Sequence, residues 1–250
     1  MASPFTMNSF IGKKLLALVR QGNYAHAGEE EAIEMAMAVI KKDTNRLLLD
    51  AGCGRGGTAH YLQKHGWGQV TGIDIEPQSI EGARKDYPDV RFDIGDIASV
   101  KERYGARFDV ITLFNVLYAI GDHDAALAAL GSVARPDATL VVFDYVDPGS
   151  FHRHEILEGD QAFLPNPIGS NQIEPVLARA GWQAMDRRDI TDSYISWYIA
   201  LVERIVAHRQ AMEELAGAEG FQVVHDRYSA LLERLRTREL AGYIIYAKRP

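Results

Sequence analysis

The stretch from Leu47 to Gly57 constrains the fold of this chain more than any other. It reads LLLDAGCGRGG, so an apolar run that suits a buried strand ends in a carboxylate, Asp50, and alternating glycines follow. The next residues, 58–63, begin like a helix. Glycine lets the backbone turn sharply and lets a ligand approach the amide groups. A strand, a glycine turn and a helix N-terminus are typical of a nucleotide-binding loop, although a purely structural turn can have the same composition.

The composition indicates a globular chain and limits its partners. With 250 residues it is long enough for one large domain with a substantial core. A net charge of -7 disfavours nucleic acid as the main partner. The single cysteine, Cys53, supports neither a disulfide framework nor a thiolate zinc site. No apolar run is long enough to span a membrane, so we expect a cytoplasmic protein; its oligomeric state stays open, with a homodimer as one option.

Strands and helices are predicted to alternate from Leu47 onward. The predicted strands are 46–50, 69–74, 90–94, 108–114 and 138–145, and the predicted helices between them are 57–65, 77–86, 97–103 and 122–134. This alternation indicates an α/β fold, with a parallel sheet and helices on both of its faces. Ligands of such sheets bind beyond the carboxyl ends of the strands. The residues that follow each strand are therefore candidate site residues.

The two ends of the chain add further elements. Helices are predicted at 10–20 and 29–42, on either side of an irregular segment at 21–28. A long connection runs from Val146 to Pro167, and a connection of this length is usually functional or mobile. Beyond it, the predicted elements are a helix at 170–181, a strand at 182–190, helices at 193–215 and 221–238, and a closing strand at 241–250.

Polar side chains follow several of the predicted strands. Asp74 ends the second strand and lies 20 residues after Gly54, where an acid accepts hydrogen bonds from ribose hydroxyls. Asp96 follows the third strand and either contacts an adenine amino group or caps the next helix. Asn115 and Asp144 lie at the ends of the fourth and fifth strands.

A glycine-rich turn of this kind can bind NAD, FAD, a nucleotide phosphate or S-adenosylmethionine, and the residues of this loop favour one of them. A Walker-type loop requires a lysine that the segment 56–58 does not supply. Dinucleotide folds use GxGxxG, whereas this loop has GxGxG, with Asp50 two residues before Gly52. That carboxylate would repel a pyrophosphate. It suits a ligand with an ammonium group, such as the methionine portion of S-adenosylmethionine.

The motifs together resemble those of class I S-adenosylmethionine-dependent methyltransferases of the small-molecule type. The matching segments are LLLDAGCGRGG at 47–57, TGIDIEPQSI at 71–80, GDIA at 95–98, FDVITLFNVLY at 108–118, ARPDATLVVFDY at 134–145 and the closing GYIIYAKRP. The resemblance implies a Rossmann-like seven-stranded sheet whose last strand is antiparallel and inserted between strands five and six. It also implies an N-terminal helical lid at 1–45 and a cofactor-binding domain at 46–250, with a helical cap at about 191–238.

The resemblance also implies which residues bind the cofactor. They are Tyr24, Asp50, Gly52, Cys53, Gly54, Asp74, Ile75, Asp96, Ile97 and Asn115. By motif, Asp50 holds the methionine portion, Asp74 the ribose and Asp96 the adenine. Two departures concern the acceptor: Ala119 stands where several relatives have a histidine, and the lid segment 21–32 keeps little beyond Tyr24 and Gly28. The histidine-based dyad of those relatives is therefore not expected.

The general base is unknown from sequence. Its candidates are Tyr24, His26, Asp144, His152, His154 and Glu155. The last three also raise the possibility of a metal site, but residues two apart share a face only on a strand, and we predict no metal.

The candidates for acceptor binding are tyrosines and a tryptophan, namely Tyr118, Tyr145, Tyr194, Trp197 and Tyr198. The three in the predicted cap either form a pocket for a cationic amine or pack a helix onto the sheet. The expected function is methyl transfer to a nitrogen, oxygen or carbon atom of a small molecule by in-line displacement. A non-catalytic or regulatory S-adenosylmethionine-binding protein is the alternative.

Overall fold

The predicted alternation of strands and helices is present. The computed structural model describes residues 6–7, 9–152, 156–158 and 161–250. The strands are β1 (Leu47–Ala51), β2 (Gln69–Asp74), β3 (Arg91–Ile94), β4 (Phe108–Phe114), β5 (Ala134–Asp147), β6 (Leu157–Glu158), β7 (Gln161–Ala162), β8 (Ile168–Gly169), β9 (Gln183–Asp189) and β10 (Ala241–Lys248). The helices are α1 (Phe10–Val19), α2 (Glu29–Met37), α3 (Gly57–Lys64), α4 (Pro77–Asp86), α5 (Val100–Arg103), α6 (His123–Val133), α7 (Ile173–Arg179), α8 (Thr191–Ala207) and α9 (Arg209–Arg236).

The main sheet has the order β3-β2-β1-β4-β5-β10-β9, and β8 adds a short pairing to β5. The pairs from β3 to β5 are parallel. β10 runs antiparallel to both β5 and β9 and lies between them. The structure therefore confirms a Rossmann-like sheet of seven strands with the last strand inserted antiparallel.

Consecutive apolar residues in the strands serve opposite faces of the sheet, because side chains alternate along a strand. Leu48 and Val110 belong to a core covered by α1–α4, α8 and α9, whereas Leu49 and Ile111 belong to a second core under α5–α7. All four side chains are buried. A continuous apolar run such as 47–49 is what a strand with helices on both faces requires.

Several boundaries differ from the predicted ones. β5 begins at Ala134 rather than at 138, because Ala134 pairs with Phe108 before the register shifts and Val110 pairs with Thr139. The predicted helix 97–103 is a 3-10 turn, Ile97–Ser99, followed by α5. The connection after β5 contains the hairpin β6–β7 and the strand β8, which the sequence did not indicate.

The helical segment between β9 and β10 is also divided differently from the prediction. α8 ends at Ala207 and α9 begins at Arg209, so the structure has a break at His208 that was not predicted, in addition to a kink within the predicted break at 216–220. At Gly217, inside α9, the backbone turns to φ 74° and ψ 169°. Within the described ranges, no helix is both long enough and apolar enough to cross a membrane.

Gly217 and Gly82 provide a matched pair of substitutions. An added Cβ would meet no heavy atom within 4 Å at either position, so crowding affects neither. We expect Gly217→Ala to lower the free energy of unfolding by about 1–3 kcal/mol, because this φ,ψ region is essentially reserved for glycine. Gly82→Ala, in the regular helix α4, should raise it by about 0.5–1 kcal/mol. Urea unfolding measures both, and equal effects would contradict the backbone argument.

Candidate active site

A pocket of about 490 Å³ lies at the carboxyl ends of the parallel strands. Its lining follows the strand order: Ile97 comes after β3, Ile75 after β2, Gly52 after β1, Asn115 after β4, and Tyr145 near the end of β5. The volume falls within the range of about 300–1,000 Å³ typical of small-molecule sites. The tips of five adjacent strands therefore contribute to one cavity.

The glycine turn after β1 has the backbone that its composition predicts. Gly52 has a φ of 78° and Gly54 a φ of 54°. A Cβ on Gly52 would lie 2.5 Å from a methyl group of Val116, so a side chain there would displace the loop after β4. Both glycines line the pocket.

Asp74 connects three parts of the pocket. Its Oδ2 accepts a hydrogen bond of 2.7 Å from the backbone N–H of Gly54. Its Oδ1 accepts from the backbone N–H of Glu76 at 2.9 Å and from Nζ of Lys13, in α1, at 3.2 Å. The side chain lines the pocket, and its ribose-binding role stays a prediction.

Asp50 lies behind the turn and does not itself line the pocket. Its Oδ1 accepts a 2.9 Å hydrogen bond from the Thr112 hydroxyl, whereas Oδ2 is buried and has no partner in the described part of the chain. Burial raises the pKa of Asp50 to about 7, and the negative charge of Asp74 adds to the effect. Cys53 is turned into the core, and burial raises the pKa of its thiol.

The residues predicted to contact adenine lie at the β2–β3 end of the pocket. Ile75 lines the cavity although its side chain is 69% exposed, and Ile97 lines it from a buried position. Asp96 also lines it, and its Oδ1 accepts a 2.9 Å hydrogen bond from the N–H of Ala98. Asp96 is thus an N-terminal cap of the 3-10 turn, one of the two roles predicted for it, and still faces the cavity.

Asn115 follows β4 in a left-handed conformation, with a φ of 53°. Its Nδ2 donates a 3.0 Å hydrogen bond to the hydroxyl of Tyr194. Its Oδ1 is buried without a partner among the described residues. Asn115 lines the pocket next to the glycine turn, as predicted, and keeps one acceptor unsatisfied.

The aromatic candidates separate into two groups. Tyr118 and Tyr145 line the pocket, whereas Tyr194, Trp197 and Tyr198 do not. Tyr194 stacks on Phe143, at 5.0 Å between ring centroids. Nε1 of Trp197 donates to Glu31 at 3.0 Å, and its ring packs against Gly28. The hydroxyl of Tyr198 hydrogen-bonds that of Tyr145. These three cap residues lie behind the residues that line the pocket. Of the two predicted alternatives, they pack a helix onto the sheet.

Several lining residues were not predicted. They are Lys13, Leu16 and Arg20 from α1 and its C-cap, Phe163 and Leu164 from the connection after β5, and Tyr228 from α9. One signal for Arg20 was available, since residues four apart share a helix face. Arg20 lies four residues after the apolar Leu16, which places a cation on the buried side of α1.

The histidine candidates for a general base are not in the pocket lining. His26 is fully buried, with Nδ1 against the carbonyl of Ala27 at 3.1 Å and Nε2 against the Thr58 hydroxyl at 3.0 Å. Burial lowers its pKa to about 3. His152 is exposed outside the cavity. His154 and Glu155 lie outside the described residues, and within those residues no three potential metal ligands cluster.

The remaining base candidates are Asp144 and Tyr24. Asp144 is buried and does not line the pocket; its carboxylate accepts from the backbone N–H groups of Val116 at 2.9 Å and Leu117 at 2.6 Å. Burial raises its pKa to about 7. Tyr24 lines the pocket and donates to Glu30 at 3.1 Å; burial, followed by the charge of Glu30, raises its pKa.

A family model described as a methyltransferase domain matches residues 24–226, which is most of the chain. The chain belongs to this methyltransferase-domain family.

Two curated relatives illustrate the range of the family. This methyltransferase-family chain is 30% identical over 154 residues to the O-methyltransferase cnsE of Penicillium expansum, covering 58% of this chain and 55% of that protein. It is 28% identical over 221 residues to trans-aconitate 2-methyltransferase of Enterobacter sp. (strain 638), covering 84% and 86%. The chain thus spans about half the length of the first relative.

A solved structure matches the fold. It is phosphoethanolamine N-methyltransferase 2 of Haemonchus contortus in complex with phosphomonomethylethanolamine and S-adenosylhomocysteine. The TM-score is 0.85 at 15% identity, covering 96% of this chain and 57% of that chain. At this identity the match shows the fold alone.

The buried His26 predicts a pH effect on the stability of this methyltransferase-family protein. Its pKa is about 3 when folded and 6.5 ordinarily, so the unfolded chain binds more protons between these values. Its contribution to stability is complete above about pH 6.5 and is lost as the pH falls toward 3, at up to about 1.4 kcal/mol per pH unit. Between about pH 7 and about pH 4.5, the free energy of unfolding should fall less in His26→Gln than in the wild-type protein. Urea titrations test this, with exposed His208→Gln as control; equal slopes in wild type and His26→Gln would contradict it.

Proposed function

We propose that this protein binds S-adenosylmethionine in the pocket and transfers its methyl group to a small-molecule acceptor. The observation that carries the proposal is the meeting of independently predicted strand-end residues in one cavity. Gly52, Gly54, Asp74, Asp96 and Asn115 come from four different strand tips, and all line it. The family membership and the fold support the same activity.

The residues present suit this cofactor. Oδ2 of Asp50 and Oδ1 of Asn115 are buried and unpartnered, and buried polar groups are costly unless a partner satisfies them. A cationic ligand portion beside the turn would be a partner for Asn115 and would offset the charge of Asp50 behind the turn, whereas a pyrophosphate would do neither. Ile75 exposes an apolar surface of the kind that an adenine ring covers. Gly52 and Gly54 leave the backbone open to close approach.

S-adenosylmethionine supplies a methyl group on a sulfonium, a reactive carbon that needs little activation by the protein. The task of the chain is then to orient the two reactants and to exclude water. Asp74, Ile75, Asp96 and Ile97 hold the nucleoside end, next to strands β2 and β3. Asn115 lies on the boundary with the acceptor end, the part of the pocket that Tyr118, Tyr145, Phe163 and Tyr228 line.

Proton removal has a small part in this proposal. The described lining contains no histidine. Burial raises the pKa values of Tyr24 and Tyr145, so their hydroxyls stay protonated near neutral pH and act as hydrogen-bonding groups. We therefore propose that positioning dominates catalysis and that Tyr118 and Tyr145 contact the acceptor.

The experiment that tests the function has two measurements. Calorimetry with S-adenosylhomocysteine measures cofactor binding, and mass spectrometry measures S-adenosylhomocysteine released from S-adenosylmethionine with a panel of hydroxyl, amine and carbon acceptors. Binding with acceptor-dependent release is the expected result. Binding without release for any acceptor would favour the non-catalytic alternative. Absence of binding would refute both.

Asp50 predicts a pH dependence of cofactor binding. An ammonium group favours the ionised carboxylate, so affinity for S-adenosylhomocysteine should fall as the pH drops below about 7, the pKa of Asp50 without ligand. Asp50→Asn should bind about tenfold or more weakly and lose this dependence, because it removes a negative charge behind the turn whose attraction for a nearby cation is about 1–4 kcal/mol. Calorimetry across pH checks both effects. Asp124→Asn, at an exposed ion pair with Arg179, is the control. Wild-type affinity and pH profile in Asp50→Asn would contradict the role.

We also propose a cytoplasmic location and a homodimer. The free thiol of the buried Cys53 fits a reducing compartment. The edge strand β9 exposes charged residues, Asp186 to Asp189, and charges on an edge discourage another chain from extending the sheet. A dimer would therefore use another surface, and light scattering of the purified protein tests whether it forms.

A further inference from the structure

The guanidinium of Arg20 is buried at the acceptor end of the pocket. Arg20 is 1% exposed, and its side chain lines the cavity. Its Nε and Nη1 have no hydrogen-bond partner among the described residues. Two donors of a charged group thus lie unsatisfied in an interior where such groups are normally paired.

The groups around Arg20 are mainly tyrosines. The guanidinium lies 5.9 Å from the ring centroid of Tyr228, and Tyr198 and Tyr145 are the next groups that act on it. Burial raises the pKa values of all three hydroxyls, so they carry no charge at neutral pH. They stabilise the cation by ring contact and, at Tyr198, by a hydrogen bond to the guanidinium, but uncharged hydroxyls do not neutralise it.

The nearby carboxylate is shared. Glu29 acts on Arg20, but its Oε1 already accepts a 2.7 Å hydrogen bond from Nη2 of Arg204. One carboxylate therefore faces two guanidinium groups. Among the described residues, Arg20 therefore has no carboxylate of its own.

The other cations that line the described part of the pocket have their own acids. Lys13 is 3.2 Å from Asp74, and Arg55 is 3.3 Å from Asp86. Arg20 is thus the cation that the acceptor end presents. A buried charge without a partner is costly, and an anion from outside would remove that cost.

We propose that Arg20 binds a carboxylate of the methyl acceptor, so that the substrate is a small carboxylic acid. This inference rests on the proposed function and names its substrate class. One unbalanced guanidinium matches a carboxylate, whereas a phosphate dianion would leave a negative charge buried. Leu16, Phe163 and Leu164 add apolar walls for the rest of such a molecule.

The position of Arg20 favours the acceptor over the carboxylate of the cofactor. The three tyrosines that act on Arg20 belong to β5, α8 and α9, and Glu29 belongs to α2. Most residues assigned to the cofactor follow β1, β2 and β3, with Asn115 after β4, and the charge that acts on Asp50 is that of Asp74. Arg20 therefore lies toward the β5 side of the pocket, away from the ends of β1, β2 and β3.

Matched acid and amide pairs test the proposal by binding, without knowledge of the acceptor atom. The probes are propionate and propionamide, benzoate and benzamide, and indole-3-acetate and indole-3-acetamide, each titrated into protein saturated with S-adenosylhomocysteine. In wild type at least one acid should bind about ten- to a hundredfold more tightly than its amide, as for a hydrogen bond to a charged group. Arg20→Gln should remove that difference. Arg179→Gln, at an exposed ion pair, should keep it.

Affinity for S-adenosylhomocysteine separates the possible failures. It should be unchanged in Arg20→Gln, which also shows that the variant is folded. Should that variant not fold, Arg20→Met replaces it, because an apolar side chain removes the unbalanced charge. An equal preference for acids and amides in wild type, or a preference that survives the loss of Arg20, would overturn the proposal. A parallel loss of S-adenosylhomocysteine binding would assign Arg20 to the cofactor and also overturn it. Absence of S-adenosylhomocysteine binding in wild type would instead refute the proposed function.

Discussion

The arrangement of the pocket depends on the hydrogen bonds that the carboxylate of Asp74 accepts. This carboxylate fixes the glycine turn through the N–H of Gly54, the end of β2 through the N–H of Glu76, and α1 through Lys13. One oxygen accepts from the turn and the other from the remaining two donors. Because charged acceptors make the stronger hydrogen bonds, this residue couples the sheet to the N-terminal helix. The acceptor end depends on that coupling, since α1 also leads to Arg20.

The sequence predicted those parts of the site that local geometry determines. Gly52, Asp74 and Asn115 follow strands, and the parallel sheet brings strand ends to one edge. Their positions along the chain were therefore enough to place them. The antiparallel insertion of β10 was predicted from the family resemblance. The segment AGYIIYAKRP alone does not indicate which strands it pairs with.

The parts that the sequence did not predict depend on long-range packing. The periodicity of α8 gave its helical character but not its rotation, so the sequence left open whether Tyr194, Trp197 and Tyr198 form the pocket or support it from behind. The contributions of Tyr228 and Phe163 depend on how α9 and the connection after β5 fold back over the sheet. The same limit applies to His26, since only the tertiary structure places it between Thr58 and the rings of Phe114 and Phe143.

Opposite charges are unsatisfied behind the glycine turn and at the other end of the pocket. Oδ2 of Asp50 is buried without a partner at the glycine turn, and two donors of Arg20 are buried without partners beside Tyr228. Each costs folding free energy, and each is offset only when a ligand of the opposite charge is present. Groups fixed before binding require no rearrangement when the ligand arrives. In the proposed function, this loss of stability is the cost of holding a carboxylate near a cationic group and a guanidinium near an anionic one. A cofactor and an acceptor of opposite local charge would then be held in a fixed order along the strand tips, which is what in-line transfer between them requires.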